Sequence, residues 1–229
     1  MKLLVTTRAD DNIKWYTDFT HPCLQSFAKK WGADFKILPT ESPCDSGDGK
    51  YHYRIVEIKK FLEDYDRVLH LDSDILILPS CPNLFEEIPK DRIGTIFEDK
   101  GSREHARHMT MMEAQAKLGY IGWRHNYINT GVFMVSKEHS GIFDPVDGDY
   151  WEGIGWDDIH FGYQAHRLGL KIHELPYIFN HMTMFSEPWN GEPDRFNSHI
   201  IHYAGAGVFD AGPKITQMKN DYIKVYGEV

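Results

Sequence analysis

The stretch Val68-Leu69-His70-Leu71-Asp72-Ser73-Asp74-Ile75-Leu76-Ile77-Leu78 constrains this chain more than any other. Val68 to Leu71 is too apolar to face water on either side, which predicts a central strand in a covered, mostly parallel sheet. Two carboxylates interrupt the run. Acids are almost never fully buried without a partner, so Asp72 and Asp74 belong at the carboxyl end of that strand, where open α/β sheets bind ligands. Acids one residue apart at such an end suit a hard divalent cation, Mg²⁺ or Mn²⁺, with positions left over for phosphate oxygens. Asp-Ser-Asp is also good turn material, and on the motif alone a plain turn stays open.

The other strands and helices alternate around this one. Leu3 to Thr7 predicts a first strand, ending in the polar turn Arg8-Ala9-Asp10-Asp11-Asn12. Trp15, Phe19, Leu24, Phe27 and Trp31 follow at roughly helical spacing, with Pro22 kinking that helix or beginning a second piece. Asp34 to Pro39 is a second short strand and Pro39 to Gly49 a loop. Ile55, Ile58, Phe61, Leu62 and Tyr65 repeat at three and four residues, a helix that delivers the chain into Val68. Further strands are expected at Ile93–Phe97, 126–137, 171–175 and 198–203, and helices at 103–118, from Asp157 or Asp158 to Leu168, and at 215–226. The 103–118 helix is polar and Met-rich with few core positions, the mark of an element that moves or covers a site.

Composition narrows the function classes. With 229 residues the chain builds one large α/β domain, and 41% hydrophobic residues with 14% aromatic exclude disorder. No apolar run approaches the roughly 18 residues of a membrane span, and Met1 to Thr7 has too short an apolar core for a signal peptide. Cys23, Cys44 and Cys81 show no metal spacing and leave an odd thiol, which points to a reducing cytoplasm. A net charge of -9 argues against nucleic acid as a partner while leaving room for a small phosphorylated ligand held through a metal.

Four pieces then occur together: Ala9-Asp10-Asp11-Asn12; Tyr53-Arg54 leading into Leu71-Asp72-Ser73-Asp74; Tyr127-Ile128-Asn129-Thr130-Gly131-Val132; and His202-Tyr203-Ala204-Gly205. In this combination and order the sequence resembles the GT-A glycosyltransferases, most nearly those of glycosyltransferase family 8, the glycogenin and lipopolysaccharide galactosyltransferase type. The likeness covers most of the chain. It implies a single α/β GT-A (Rossmann-like) domain over 1–229, a central, mostly parallel mixed sheet flanked by helices. Residues 1–97 would be the nucleotide-binding half and 98–229 the acceptor side. The implied activity is metal-dependent transfer of a hexose-type sugar from a nucleotide-diphosphate sugar, with a UDP-sugar favoured, to a glycan, glycoconjugate or other hydroxyl acceptor.

By the same resemblance Asp72, Asp74 and His202 hold the Mn²⁺ or Mg²⁺ ion. Thr6, Thr7, Arg8 and Asp10 lie against base and ribose, Arg54 reaches toward the nucleotide or donor sugar, and Asn129 meets sugar hydroxyls. Ser73, Thr130 and Gly205 complete the donor-binding set. Family members usually carry a lysine six residues after the histidine, and Val208 stands there in this chain. Lys214, or Lys50 with Arg54, are the candidate replacements. Trp156-Asp157-Asp158 falls where the family has an acidic segment beside the donor sugar, Asp157 standing where retaining members commonly have glutamine. Asp157 and Asp158 are therefore the candidate catalytic carboxylates, as base, nucleophile or ion-pair partner, with inversion and retention both open. An acid opening a helix is also a favoured cap, so one of the two can cap while the other works.

Competing readings fare less well. In dehalogenase-type phosphatases Asp-x-Asp closes the first strand, whereas here some seventy residues precede it. A sugar nucleotidyltransferase would carry a Gly-rich, Arg-Lys loop after its first strand, and Thr7 to Lys14 supplies none. A binding protein on the same scaffold without turnover is the non-enzyme alternative. His105 and His108 have the spacing of a helical metal pair, but no third ligand stands nearby in sequence. Trp151, Trp156, Tyr177 and Trp189 read first as core, in loops aromatic enough to stack on sugar rings.

Overall fold

The computed structural model describes residues 1–44, 47–182, 194–205 and 212–227. In chain order its strands are β1 (Leu3–Arg8), β2 (Asp34–Leu38), β3 (Arg67–Leu71), β4 (Ile75–Ile77), β5 (Ile93–Phe97), β6 (Ile128–Ser136), β7 (Ile172–Glu174), β8 (His181–Met182) and β9 (Ile200–His202). Its α-helices are α1 (Lys14–Lys30), α2 (Gly47–His52), α3 (Ile58–Asp64), α4 (Leu84–Glu87), α5 (Glu104–Leu118), α6 (Trp156–Arg167) and α7 (Lys214–Tyr226). Six strands form the main sheet in the order β2-β1-β3-β6-β5-β7. All run parallel except β6, which lies antiparallel to both neighbours.

Side-chain alternation explains why this sheet is covered on both faces. Along β1, β3 and β6, Val5, Leu69, Leu71, Val132 and Met134 point to one side, where Leu24 and Phe27 of α1 meet them. Their neighbours Leu4, Val68, Phe133 and Val135 point to the other, against Ile58 and Leu62 of α3 and Phe161 of α6. The apolar run of β3 thus has no water-facing side. Among the described residues no helix is long and apolar enough to cross a membrane.

The run does not continue as one strand past the acids. β3 ends at Leu71, the chain turns through Asp72 to Asp74, and β4 enters a second sheet of order β4-β9-β8. β4 pairs antiparallel with β9, with Ile75 opposite His202, and the Tyr203 N–H donates to the Asp74 carbonyl at 3.0 Å. This crossing between sheets brings the late histidine to the early acids.

Three details differ from the sequence expectations. Pro22 lies inside one continuous α1, because buried side chains on both sides of it, Phe19, Cys23, Leu24 and Phe27, hold the helix despite the missing N–H. The segment before β3 starts as a 3-10 helix, Tyr53–Glu57, and becomes α-helical only at Ile58. At α6 neither Asp157 nor Asp158 is the cap. Gly155 holds that place at φ 84°, and Trp156 follows at φ 30°, so the acids fall in the first turn. Trp156 stacks on His52 with ring centroids 5.9 Å apart. A non-glycine residue at positive φ is strained, and packing of this kind is what sustains it.

The closing helix α7 is tied down by one buried acid. Asp221 takes two hydrogen bonds from Arg195 at 2.6 and 2.8 Å, one from the Tyr203 hydroxyl at 2.7 Å and one from Gln217 at 2.8 Å. Replacing it by alanine strands buried donors and one arginine. We expect Asp221→Ala to lower unfolding free energy by about 3 kcal/mol, read as a fall in the denaturant midpoint; an unchanged midpoint would contradict this anchoring.

Candidate functional site

At the carboxyl ends of β1 and β3 lies a cleft of about 650 Å³. Arg8 and Asp10 reach it from β1 and the following turn, Asp72 and Asp74 from the β3–β4 turn, and His202, Ala204 and Gly205 from the end of β9. Asp72, Asp74 and His202 each bring a ligand atom within 4.8 Å of the other two. His202 Nε2 is 3.7 Å from Asp72 Oδ2 and 3.4 Å from Asp74 Oδ1.

The orientation of that imidazole can be derived from the backbone outward. The Gly131 N–H donates to Asn129 Oδ1 at 2.9 Å, which fixes which end of the amide is oxygen. Asn129 Nδ2 therefore donates to Glu98 Oε1 at 2.6 Å, and Asn129 Oδ1 also accepts from Asn180 Nδ2 at 2.8 Å. Asn180 Oδ1 is left facing His202 Nδ1 at 2.8 Å, so Nδ1 carries the proton and Nε2 offers its lone pair between the carboxylates. A partner on the far ring nitrogen is how metal-binding histidines are commonly oriented.

Gly131 makes room for this. A Cβ built there would sit 2.4 Å from His202 Cε1 and 2.9 Å from both His202 Nδ1 and Asn129 Oδ1. We expect Gly131→Ala to push the imidazole off its position and weaken Mn²⁺ binding about tenfold or more, with the circular dichroism spectrum retained. Unchanged binding in calorimetric titration would show that the close packing at Gly131 does not position the ligand.

Charge balance around the triad is tight. Burial pushes the Asp72 carboxyl upward, but Arg8, His70 and His202 outweigh it and hold the group well below the usual carboxylate range. Burial acts likewise on Asp74, and His202 with Lys214 brings it down. Lys214, from the start of α7, forms an ion pair with Asp74 and lines the cleft. For His202, burial disfavours the proton, but Asp74 and Asp72 overcome that and raise its affinity for a proton above the ordinary value. A cation at this site competes with that proton.

The two acids of α6 have separate environments. Asp157 is enclosed: Arg8 Nη1 donates to it at 2.7 Å, the Thr130 hydroxyl at 3.0 Å, and His52 Nδ1 lies 2.9 Å away. Burial opposes its ionisation, yet Arg8 and His52 hold it at about 2. Arg8 also donates to Asp72 at 2.5 Å, linking the α6 acid to the Asp72–Asp74–His202 cluster through one guanidinium. Asp158 lines the cleft itself; its Oδ1 accepts from the Thr130 N–H at 2.7 Å and lies 2.8 Å from the Thr130 hydroxyl, whose single proton is shared between the two acids. Burial first, then the charges of Asp157 and Glu98, push its carboxyl up to about 7.

The remaining expected residues divide by position. Asn129 and Gly205 line the cleft with Arg8 and Asp10. Thr6 and Thr7 are wholly buried in β1, the Thr6 hydroxyl 3.2 Å from His70 Nδ1. Ser73 is buried in the turn, its carbonyl accepting from the Thr20 hydroxyl at 2.8 Å. Arg54 stands behind Asp10, donating to its carboxylate at 2.9 Å, and Lys50 is exposed on α2. Trp151 is buried in a cluster with Trp123 and Tyr127. Val208 and Trp189 lie outside the described residues.

The cleft also contains side chains that sequence reading did not single out: Tyr16, Tyr51, His52, Glu98, Arg103 and Arg107. Arg103 pairs with Glu98 at 2.6 Å and Arg107 pairs with it too. Their spacing of four along one helix face was the available signal. Through them the start of α5 lines the cleft.

No family model matches the sequence, and a search of curated proteins finds no match. Solved structures do match. A glycosyltransferase involved in the glycosylation of the major capsid of PBCV-1 is 15% identical, with 90% of this chain and 95% of that one covered at a TM-score of 0.61. The galactosyltransferase LgtC, solved with donor and acceptor sugar analogs, is 14% identical over 98% and 95%, TM-score 0.55. Mouse xyloside xylosyltransferase 1 is 16% identical over 91% and 99%, TM-score 0.52. At such identities the likeness establishes the architecture: the chain has the GT-A glycosyltransferase fold.

Proposed function

We propose that this protein is a metal-dependent glycosyltransferase that moves a sugar from a nucleotide-diphosphate sugar, a UDP-sugar foremost, to a hydroxyl of a glycan or similar acceptor. The observation that carries this reading is the convergence of Asp72, Asp74 and an oriented His202 on the wall of one cleft. Two carboxylates and one imidazole fit Mn²⁺ or Mg²⁺, with positions to spare for diphosphate oxygens. When bound, such an ion supplies a Lewis acid beside the leaving group. Asp72, Asp74 and Glu98 already pair with Arg8, Lys214, Arg103 and Arg107 in this cleft, so a bound cation would add the positive charge that a diphosphate needs.

The chain's own groups take the other roles. Lys214 turns from Asp74 to the diphosphate and takes the place of the lysine absent at Val208. Tyr16 and Tyr51 offer ring faces for the base beside Arg8 and Asp10. Asp158 accepts the acceptor's proton or meets the developing positive charge at the anomeric carbon, its affinity for a proton matched to neutral pH. Asp157, committed to Arg8 and His52, is a positioning residue. Arg103 and Arg107 face the acceptor side, where hydroxyls or an acidic sugar meet their N–H groups.

Incubating the chain with UDP-sugars and Mn²⁺ should release UDP slowly even without acceptor, and UDP with Mn²⁺ should raise the melting temperature more than GDP does. Formation of nucleoside triphosphate from donor and pyrophosphate would mark a nucleotidyltransferase instead. Absence of both donor cleavage and any cation-dependent nucleotide shift would overturn the proposal.

A further inference from the structure

A second set of metal-ligand side chains converges outside the cleft. Asp99 follows β5, His108 lies in the second turn of α5, and His125 is in the loop before β6. One carboxylate oxygen and two imidazole nitrogens from these residues fall within 4.8 Å of one another. The partners of His108 are thus not its helix neighbour His105 but two residues, Asp99 and His125, from loops that the β5–β6 pairing brings alongside the helix.

The carboxylate is built in rather than loose. Asp99 Oδ2 accepts from the Asn126 N–H at 2.8 Å and Oδ1 from the Tyr127 N–H at 2.9 Å, which leaves lone pairs on both oxygens. Asn126, between His125 and Tyr127, holds φ 71°, an uncommon backbone state for a non-glycine residue. His108 Nε2 is 3.9 Å from Asp99 Oδ2, too far for a hydrogen bond, and it is buried without a hydrogen-bond partner among the described residues. The His108 and His125 rings are 5.4 Å apart and inclined at 71°. The 3.9 Å separation, and the 4.8 Å bound on all three donors, compare with roughly 3.3 Å between tetrahedral neighbours on bonds of about 2.0 Å, so small side-chain movements would close the set on an ion.

We propose that Asp99, His108 and His125 form a second metal site, for a late first-row divalent cation of the zinc class. Two imidazoles and one carboxylate favour such an ion, whereas the acid-rich triad in the cleft favours Mn²⁺ or Mg²⁺. Three protein ligands leave a fourth position open. His108 and His125 also line a separate cavity of about 430 Å³ with Met111 and Trp123, which provides the entry path. The ion would clamp α5 to the loops at the end of the β5–β6 pair. Because Asp99 adjoins Glu98, which holds Arg103 and Arg107, the clamp would steady the side of α5 that lines the cleft. This inference does not depend on the donor chemistry.

The test is a Co²⁺ titration of the full chain carrying Asp72→Asn and Asp74→Asn, followed by visible absorption. One equivalent with an intense tetrahedral band, displaced by Zn²⁺, is expected. His108→Ala or His125→Ala in that background should weaken binding about tenfold or more, while His105→Ala on the same helix leaves it unchanged. Should the double Asn variant fail to fold, the same comparison is made in the otherwise unaltered chain, where two equivalents of Co²⁺ fall to one on loss of His108. No tetrahedral band, or equal binding with and without His108 and His125, would overturn the site.

Discussion

Changing both Asp72 and Asp74 to asparagine is expected to abolish Mn²⁺ binding and to slow donor cleavage by about a thousandfold, the scale of losing several kcal/mol of charge stabilisation. Asparagine keeps the size of each side chain but offers a neutral oxygen where His202 Nε2 and two carboxylates now converge. Asp72→Asn also leaves the buried Arg8 with Asp157 as its sole carboxylate, so a moderate fall in melting temperature should accompany the loss. Calorimetric titration with Mn²⁺ and a nucleoside-diphosphate release assay read the two effects separately. A double variant that cleaves donor at the parental rate, or a parent that does so in chelator, removes the metal from the mechanism.

Asp158→Asn should cost about a hundredfold to a thousandfold in turnover and yet make the protein more stable at pH 8. The folded carboxyl sits at about 7, raised by burial and by the charges of Asp157 and Glu98, against about 3.9 in an unfolded chain. Between those values the folded protein holds the extra proton, so stability falls as pH rises from about 4 to about 7, and the penalty is complete above that. An amide carries no charge at any pH and can still accept from Thr130 through its oxygen. The gain in melting temperature should therefore be present at pH 8 and absent at pH 4. The parental rate should rise with pH up to about 7, or to a lower value with the cation bound, since the ionised form does the work. A pH-independent gain, or full turnover in the variant, counts against this role. Asp157 behaves oppositely: held at about 2, its ion pairs stabilise the fold above about pH 4 and fail as the solution is acidified toward 2.

What the sequence made legible was periodic or chemically conspicuous. Alternation along Leu4-Val5 and Val68 to Leu71 gave the covered sheet, and the acids breaking that run gave the place of the site. His202 was approachable only because Gly205 follows it in a resembling motif; no spacing rule connects it to Asp72. Asn180 was invisible, since its role depends on β8 and β9 lying in register and on the direction of an amide dipole. Gly131 is a lone glycine inside a strand, and only the imidazole packed against it shows why a side chain is unwelcome. Thr6 and Thr7 illustrate the reverse: they share the strand that leads to the motif, point to opposite faces of the sheet, and are buried because both faces are covered. His125 escaped notice because proximity in space to His108 required the β5–β6 edge first.

The antiparallel contact of β4 with β9 has a bearing on how the chain matures. Ile75 meets His202 across the greater part of the polypeptide, so the acids are made long before the imidazole that completes them. A nascent chain that has emerged only through β7 carries two of the three proposed ligands and lacks the imidazole. An ion held by the proposed triad would therefore favour the finished topology, as a late latch whose contribution grows with its free concentration.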